Sequence, residues 1–88
     1  MTLDAIRAVI AAGLEQGACF ALRNNGWRED FVDGRRDVSF EEMDIDSLAM
    51  MELCIAIEVE TGVSILPNEL VEYATLGAVA ASVKAQLA

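Results

Sequence analysis

The chain has 88 residues, 55% of them hydrophobic, with a formal net charge of −9, no histidine, one proline and two cysteines. That length supports one domain, residues 1–88, near the lower limit for independent folding, and so high an apolar content excludes a disordered acidic tail. No apolar run reaches the roughly 18 residues that suggest a membrane span, and so negative a surface repels nucleic acid and anionic membrane.

The first residues, Met1-Thr2-Leu3-Asp4-Ala5-Ile6, show no basic stretch followed by an apolar one. No signal peptide is expected there, and Cys19 and Cys54 read as free thiols in a reducing, cytoplasmic compartment. Ile6, Val9, Ile10 and Leu14 fall near helical spacing and predict a helix over residues 4–16, capped by Thr2 or Asp4, with Gly13 and Gly17 marking its approaching end.

Residues 17–46 are the least legible part. Asn25-Gly26 and Asp33-Gly34 are turn signals, and a hairpin about Asn25-Gly26 is one reading, although its flanks do not alternate cleanly. Phe20, Leu22, Trp27, Phe31, Val32 and Phe40 are available to pin this long connection to a core. Four of the six basic residues, Arg23, Arg28, Arg35 and Arg36, lie in it. A connection this long in so small a domain carries structure or function of its own.

Residues 47–61 predict the clearest helix. Met50, Leu53, Cys54 and Ile57 recur at i, i+3, i+4 and i+7 and make one apolar face. Leu48, Met51 and Ile55 make a second stripe that starts beside Ser47. By pattern alone this stripe is either core or an exposed partner surface. Thr61-Gly62 ends the helix, with Gly62 suited to a left-handed cap. Pro67 opens a short helix over 67–73. Thr75 caps a last helix in which Leu76, Val79, Ala80, Val83 and Leu87 share a face.

The charge is segregated. Between Val38 and Val83 stand Glu41, Glu42, Asp44, Asp46, Glu52, Glu58, Glu60, Glu69 and Glu72, with no lysine or arginine. The remainder of the chain is neutral. Such a field attracts basic protein surfaces, although it also serves plain solubility.

The absence of histidine rules out a Ser-His or Cys-His catalytic pair, and two distant cysteines make no tetrahedral zinc site. A calcium loop starting at Asp44 would need glycine and glutamate where Ala49 and Ile55 stand. No glycine-rich phosphate cradle is present. The chain therefore reads as a protein acted upon, not as an enzyme. Ser47 is the candidate target. At a helix N-terminus its hydroxyl is either a cap or, where the helix end stabilises negative charge, a place for a phosphodiester.

The stretch Met43-Asp44-Ile45-Asp46-Ser47-Leu48-Ala49-Met50-Met51-Glu52-Leu53 resembles the prosthetic-group site of acyl carrier proteins, usually Leu-Gly-x-Asp-Ser-Leu before an acidic amphipathic helix. The similarity continues through Glu58, Gly62, Ile65, Glu69 and Thr75, over residues 38–88. It implies an all-α, acyl-carrier-like fold: a small four-helix bundle of three main helices and one short one, with a long first connection. Ser47 would receive a 4′-phosphopantetheine arm from coenzyme A through a phosphopantetheinyl transferase, and Asp46 would position that serine and contact the transferase or its metal ion. Acyl chains would ride on the arm's thiol as thioesters, sheltered between helices. Leu48, Met51, Glu52, Ile55 and Glu58 match the positions that dock on basic patches of acyl-transferring and ketosynthase-type enzymes, with Glu60 as an added contact. A monomer is expected.

The pattern also departs from that family. Asp44 replaces the usual glycine, Ala49 and Val59 stand where acids are common, Ile-Pro becomes Ile65-Leu66-Pro67, and residues 18–38 are longer than in common fatty-acid carriers. These differences suggest a specialised carrier for fatty-acid, polyketide or dedicated lipid synthesis. Two other readings are a peptidyl or aryl carrier of non-ribosomal synthesis, and a non-carrier helical interaction module in which Ser47 is only a cap.

Overall fold

The computed structural model describes residues 1–87. Three long helices, α1 (Leu3–Gln16), α5 (Ser47–Thr61) and α7 (Leu76–Leu87), carry the fold, and four short ones, α2 (Ala21–Asn24), α3 (Arg28–Val32), α4 (Phe40–Met43) and α6 (Pro67–Leu70), complete it. Among the described residues no strand forms, and a single antiparallel bridge joins Ser39 to Thr75. The architecture is the expected all-α one, with three short helices in the first connection that the sequence reading did not resolve.

α1 starts where expected. Thr2 is its cap, and the Ala5 N–H donates to the Thr2 hydroxyl at 3.1 Å. Ile6, Ile10 and Leu14 are fully buried. The helix ends soon after Gly13, at Gln16 with Gly17 as its cap, as expected, and Gly13 also has a steric role. A Cβ there would sit 2.8 Å from the Ala56 Cβ, and one on Gly17 would sit 2.8 Å from the Ala49 Cα. Gly13 of α1 and the cap residue Gly17 thus let the α5 backbone come close. β-Carbons at those positions would push the helices apart and open voids in a close-packed interior.

The connection holds no hairpin. Asn25 closes α2, its side-chain amide donating to the Ala21 carbonyl at 2.8 Å, and Gly26 turns the chain into α3 with φ of 71°. Of the candidate anchors, Leu22 and Phe31 are buried, Trp27, Val32 and Phe40 are partly buried, and Phe20 stays 42% exposed. Phe31 alone is an anchor of about 2–3 kcal/mol by the area it removes from water. The four arginines here do not form a free basic patch. Arg23 and Arg28 pair with Glu15, Arg35 with Asp30 and Asp33, and Arg36 with Glu42. Arg36 also lies over the Trp27 ring, 4.1 Å from its centroid.

α5 ends at Gly62, with φ of 78°, as its position predicts. The short helix after Pro67 stops at Leu70, earlier than expected, because Val71 and Glu72 bond back to Pro67 and Glu69 in a turn. Leu87, placed on the inner stripe by its spacing, is 40% exposed, since the stripe outruns the core at the last turn.

A polar latch closes the fold. The Asp37 carboxylate accepts from the Gly77 and Val38 N–H groups, both at 2.8 Å, and the Leu76 N–H donates to the Val38 carbonyl at 2.9 Å. The carboxylate lies so close to Gly77 that a Cβ there would sit 2.5 Å from Oδ2. Partial burial pushes the Asp37 pKa up, yet the Thr75 hydroxyl, the two N–H donors and the nearby Arg7 charge outweigh it, so the carboxyl lies below its ordinary 3.8. A depressed carboxylate stabilises the fold above its unfolded-state pKa and loses that contribution as pH falls through its folded value. Asp37→Ala is therefore expected to cost about 1 kcal/mol at neutral pH by loss of a helix-end acceptor. The gap to the native protein should narrow below about pH 3.8, as read by denaturant titration across pH.

Candidate functional site

The segment between α4 and α5 is short and fully determined by local bonds. Ser39 and Glu42 cap α4 reciprocally, the Glu42 N–H donating to the Ser39 hydroxyl and the Ser39 N–H to the Glu42 carboxylate, both at 3.1 Å. Asp44 then ends α4 in the left-handed region, with φ of 49°. This is where the related pattern has glycine, and the backbone here does need a positive φ; aspartate is among the few side chains that tolerate it. Ile45 is half-buried, and Asp46 is extended.

Asp46 is the cap of α5. Its carboxylate accepts the Ala49 N–H at 2.8 Å. Ser47 is the first helical residue, exposed, and none of the side-chain hydrogen bonds among the described residues uses its hydroxyl. The sequence left cap and open hydroxyl as alternatives for Ser47; the geometry divides the two roles between neighbours. The free N–H groups and positive end of the α5 dipole lie beside that hydroxyl.

From Ser47 one face of α5 runs through Met51, Cys54 and Glu58, at i, i+4, i+7 and i+11. It leads into a cleft of about 190 Å³ between α5 and the segment before α6, lined by Met51, Cys54, Ile55, Glu58, Ser64, Ile65, Leu66 and Pro67. Cys54 lies about 10 Å along the axis from Ser47 by the rise of the helix. Burial, with Glu69 nearby, pushes the Cys54 thiol above its ordinary range.

The second stripe of α5 is surface. Leu48 is 62% exposed, and Met51 and Ile55 are each 51% exposed. Glu58 and Glu60 are exposed and Glu52 is half-buried; none of the three is in an ion pair among the described residues. Val59, the most open of the large apolar residues at 74%, extends the stripe by one turn. Its spacing of four from Ile55 was the available signal. Ala49 is 2% exposed and packs on Gly17, so an acid there has no room; the departure at that position is a packing requirement.

These features define a small helical domain that presents one open hydroxyl at the head of an acidic helix. A family model described as a phosphopantetheine attachment site matches residues 29–83, well over half of the chain. The chain belongs to that family, whose members carry covalently attached 4′-phosphopantetheine and work with a phosphopantetheinyl transferase and partner enzymes. Such carrier domains are in general not themselves catalytic. No curated protein and no solved structure matches the chain. No helix among the described residues is long and apolar enough to cross a membrane.

The division of labour at the helix head has a direct consequence. Asp46→Ala should lower stability by about 1 kcal/mol, the usual worth of a cap, whereas Ser47→Ala should leave it within a few tenths. Urea unfolding of the two variants checks this.

Proposed function

We propose that this chain is an acyl carrier whose prosthetic group is attached at Ser47. The observation that carries the reading is the exposed Ser47 hydroxyl, released from capping by the Asp46–Ala49 bond. The residues present fit the group. The hydroxyl is open to a transferase, the helix end beside it favours a phosphodiester, and no packed side chain has to move. When bound, 4′-phosphopantetheine supplies a thiol on a long flexible arm, where an acyl group is held as a thioester. Asp46 holds the first turn of α5 and so fixes the direction of the hydroxyl. The face Ser47, Met51, Cys54 and Glu58 leads to the apolar cleft, which offers an acyl chain shelter from water. The cleft and the acidity together favour acyl over aminoacyl cargo, in fatty-acid, polyketide or specialised lipid synthesis. The chain acts as a cytoplasmic, monomeric carrier and not as an enzyme.

Delivery depends on the outer stripe. Leu48, Met51 and Ile55 supply apolar contact, and Glu52, Glu58 and Glu60 supply the charge that steers basic patches of acyl-transferring and ketosynthase-type enzymes. Because these apolar side chains are half exposed or more, changing them leaves the core intact.

Incubation with coenzyme A and a broadly acting phosphopantetheinyl transferase should add one phosphopantetheine, located at Ser47 by fragment mass spectrometry. Ser47→Ala should stay unmodified; modification elsewhere, or none on the native chain, would overturn the assignment. Met51→Glu should unfold at the native midpoint yet slow acyl transfer to a partner ketosynthase by about tenfold or more, the scale of one interface anchor. A lost fold would place Met51 in the core instead.

A further inference from the structure

α5 is apolar on two opposite faces. One is buried in the core. The other, Leu48, Met51, Ile55 and Val59, is exposed from the first turn to the last. Beyond Ile55 this stripe borders a second cleft, of about 330 Å³, on the side of α5 away from Cys54. It is lined by Val9, Ala12 and Gln16 of α1 and by Ile55, Val59 and Glu60 of α5. The floor is closed, because Gly13 and Ala56 meet so tightly that no Cβ fits between them. A closed floor under an open top makes a trough. It receives a side chain lowered from outside and gives no passage into the core.

Charge identifies the occupant. Glu52, Glu58 and Glu60 flank the stripe and are free of ion pairs among the described residues. Arg7 of α1 is turned away, donating to the Phe31 carbonyl at 3.0 Å, and Lys84 bonds the Met1 carbonyl at 2.8 Å. A second copy of this chain would set acids against acids. We propose that the α1–α5 trough is the far half of the docking surface, and that it seats a bulky apolar side chain of a lysine- or arginine-rich amphipathic helix on a partner enzyme. The inference rests on the docking reading of α5 given above and adds to it a second anchor point, a turn beyond Ile55, on both α1 and α5. Val59, 74% exposed, forms the apolar lip of that trough.

The test uses the full chain, isotopically labelled, with and without the arm on Ser47. The probe is a synthetic leucine–lysine amphipathic helix of about 14 residues, long enough to hold helical structure on binding. Its leucine–glutamate counterpart is the control. The lysine peptide should shift the amide signals of Val9, Ala12, Ile55 and Val59, and the glutamate peptide should not. Val59→Glu makes the face more acidic, so pure charge attraction would tighten binding; seating in the trough predicts weakening of about tenfold, with Val59→Leu retaining affinity. Unchanged or tighter binding by Val59→Glu, shifts confined to the Leu48 end, or no binding at all would overturn the proposal. Loading of Ser47 is read separately by mass, so loss of the trough leaves the carrier assignment standing, and loss of loading is seen without the peptide.

Discussion

Ala49 is the residue on which the rest of the molecule depends. Its Cα lies against Gly17, so closely that a β-carbon on that glycine would sit 2.8 Å away, and its N–H is held by Asp46 at 2.8 Å. The first contact locks the head of α5 onto the end of α1. The second assigns the cap to Asp46. With both in place, Ser47 is exposed and its hydroxyl makes no side-chain hydrogen bond among the described residues. Under the proposed attachment at Ser47, neither the cap nor the core has to yield when that side chain changes.

The same helix divides its surface by purpose. Leu53 and Ile57 are fully buried and supply the core. Met51, Cys54 and Ile55 border the cleft beside the Ser47 face, and Leu48, Met51, Ile55 and Val59 meet solvent. So apolar a helix in a chain of 88 residues would be a solubility hazard without compensation. The acids of α5 provide that compensation, and the arginines of the connection are held elsewhere, in ion pairs with Glu15, Asp30, Asp33 and Glu42. The 18–38 part of the long connection, with four acids and four arginines, therefore stays neutral while the α5 face stays negative. Its Asp37 latch on Gly77 ties that connection to the head of α7, across 40 residues of sequence.

Much of this was legible from the residues. The three long helices follow from 3.6-residue periodicity, and Thr2, Gly62, Pro67 and Thr75 stand where helix ends need them. The exposed stripe was legible as a stripe but not as exposed, since Leu48, Met51 and Ile55 would read the same in a core. The resemblance favoured exposure, and the burial values agree. The identity of the cap was ambiguous because Asp and Ser are both good caps and stand side by side. The short helices α2 and α3 were hidden because, at four and five residues, they show no period; tertiary anchors such as Phe31 hold them. The Asp37–Gly77 latch and the Gly17–Ala49 contact join residues far apart in the chain, and no local pattern announces them.

The central claim is that one side chain caps α5 and its neighbour is thereby left free for the arm. Hydrogen exchange at the Ala49 amide tests it most directly, since that N–H bonds the Asp46 carboxylate. The rate should be the same in the native protein, in Ser47→Ala and after loading of Ser47, and should rise about fivefold or more in Asp46→Ala, the equivalent of about 1 kcal/mol. Faster exchange in Ser47→Ala, with protection retained in Asp46→Ala, would contradict the account.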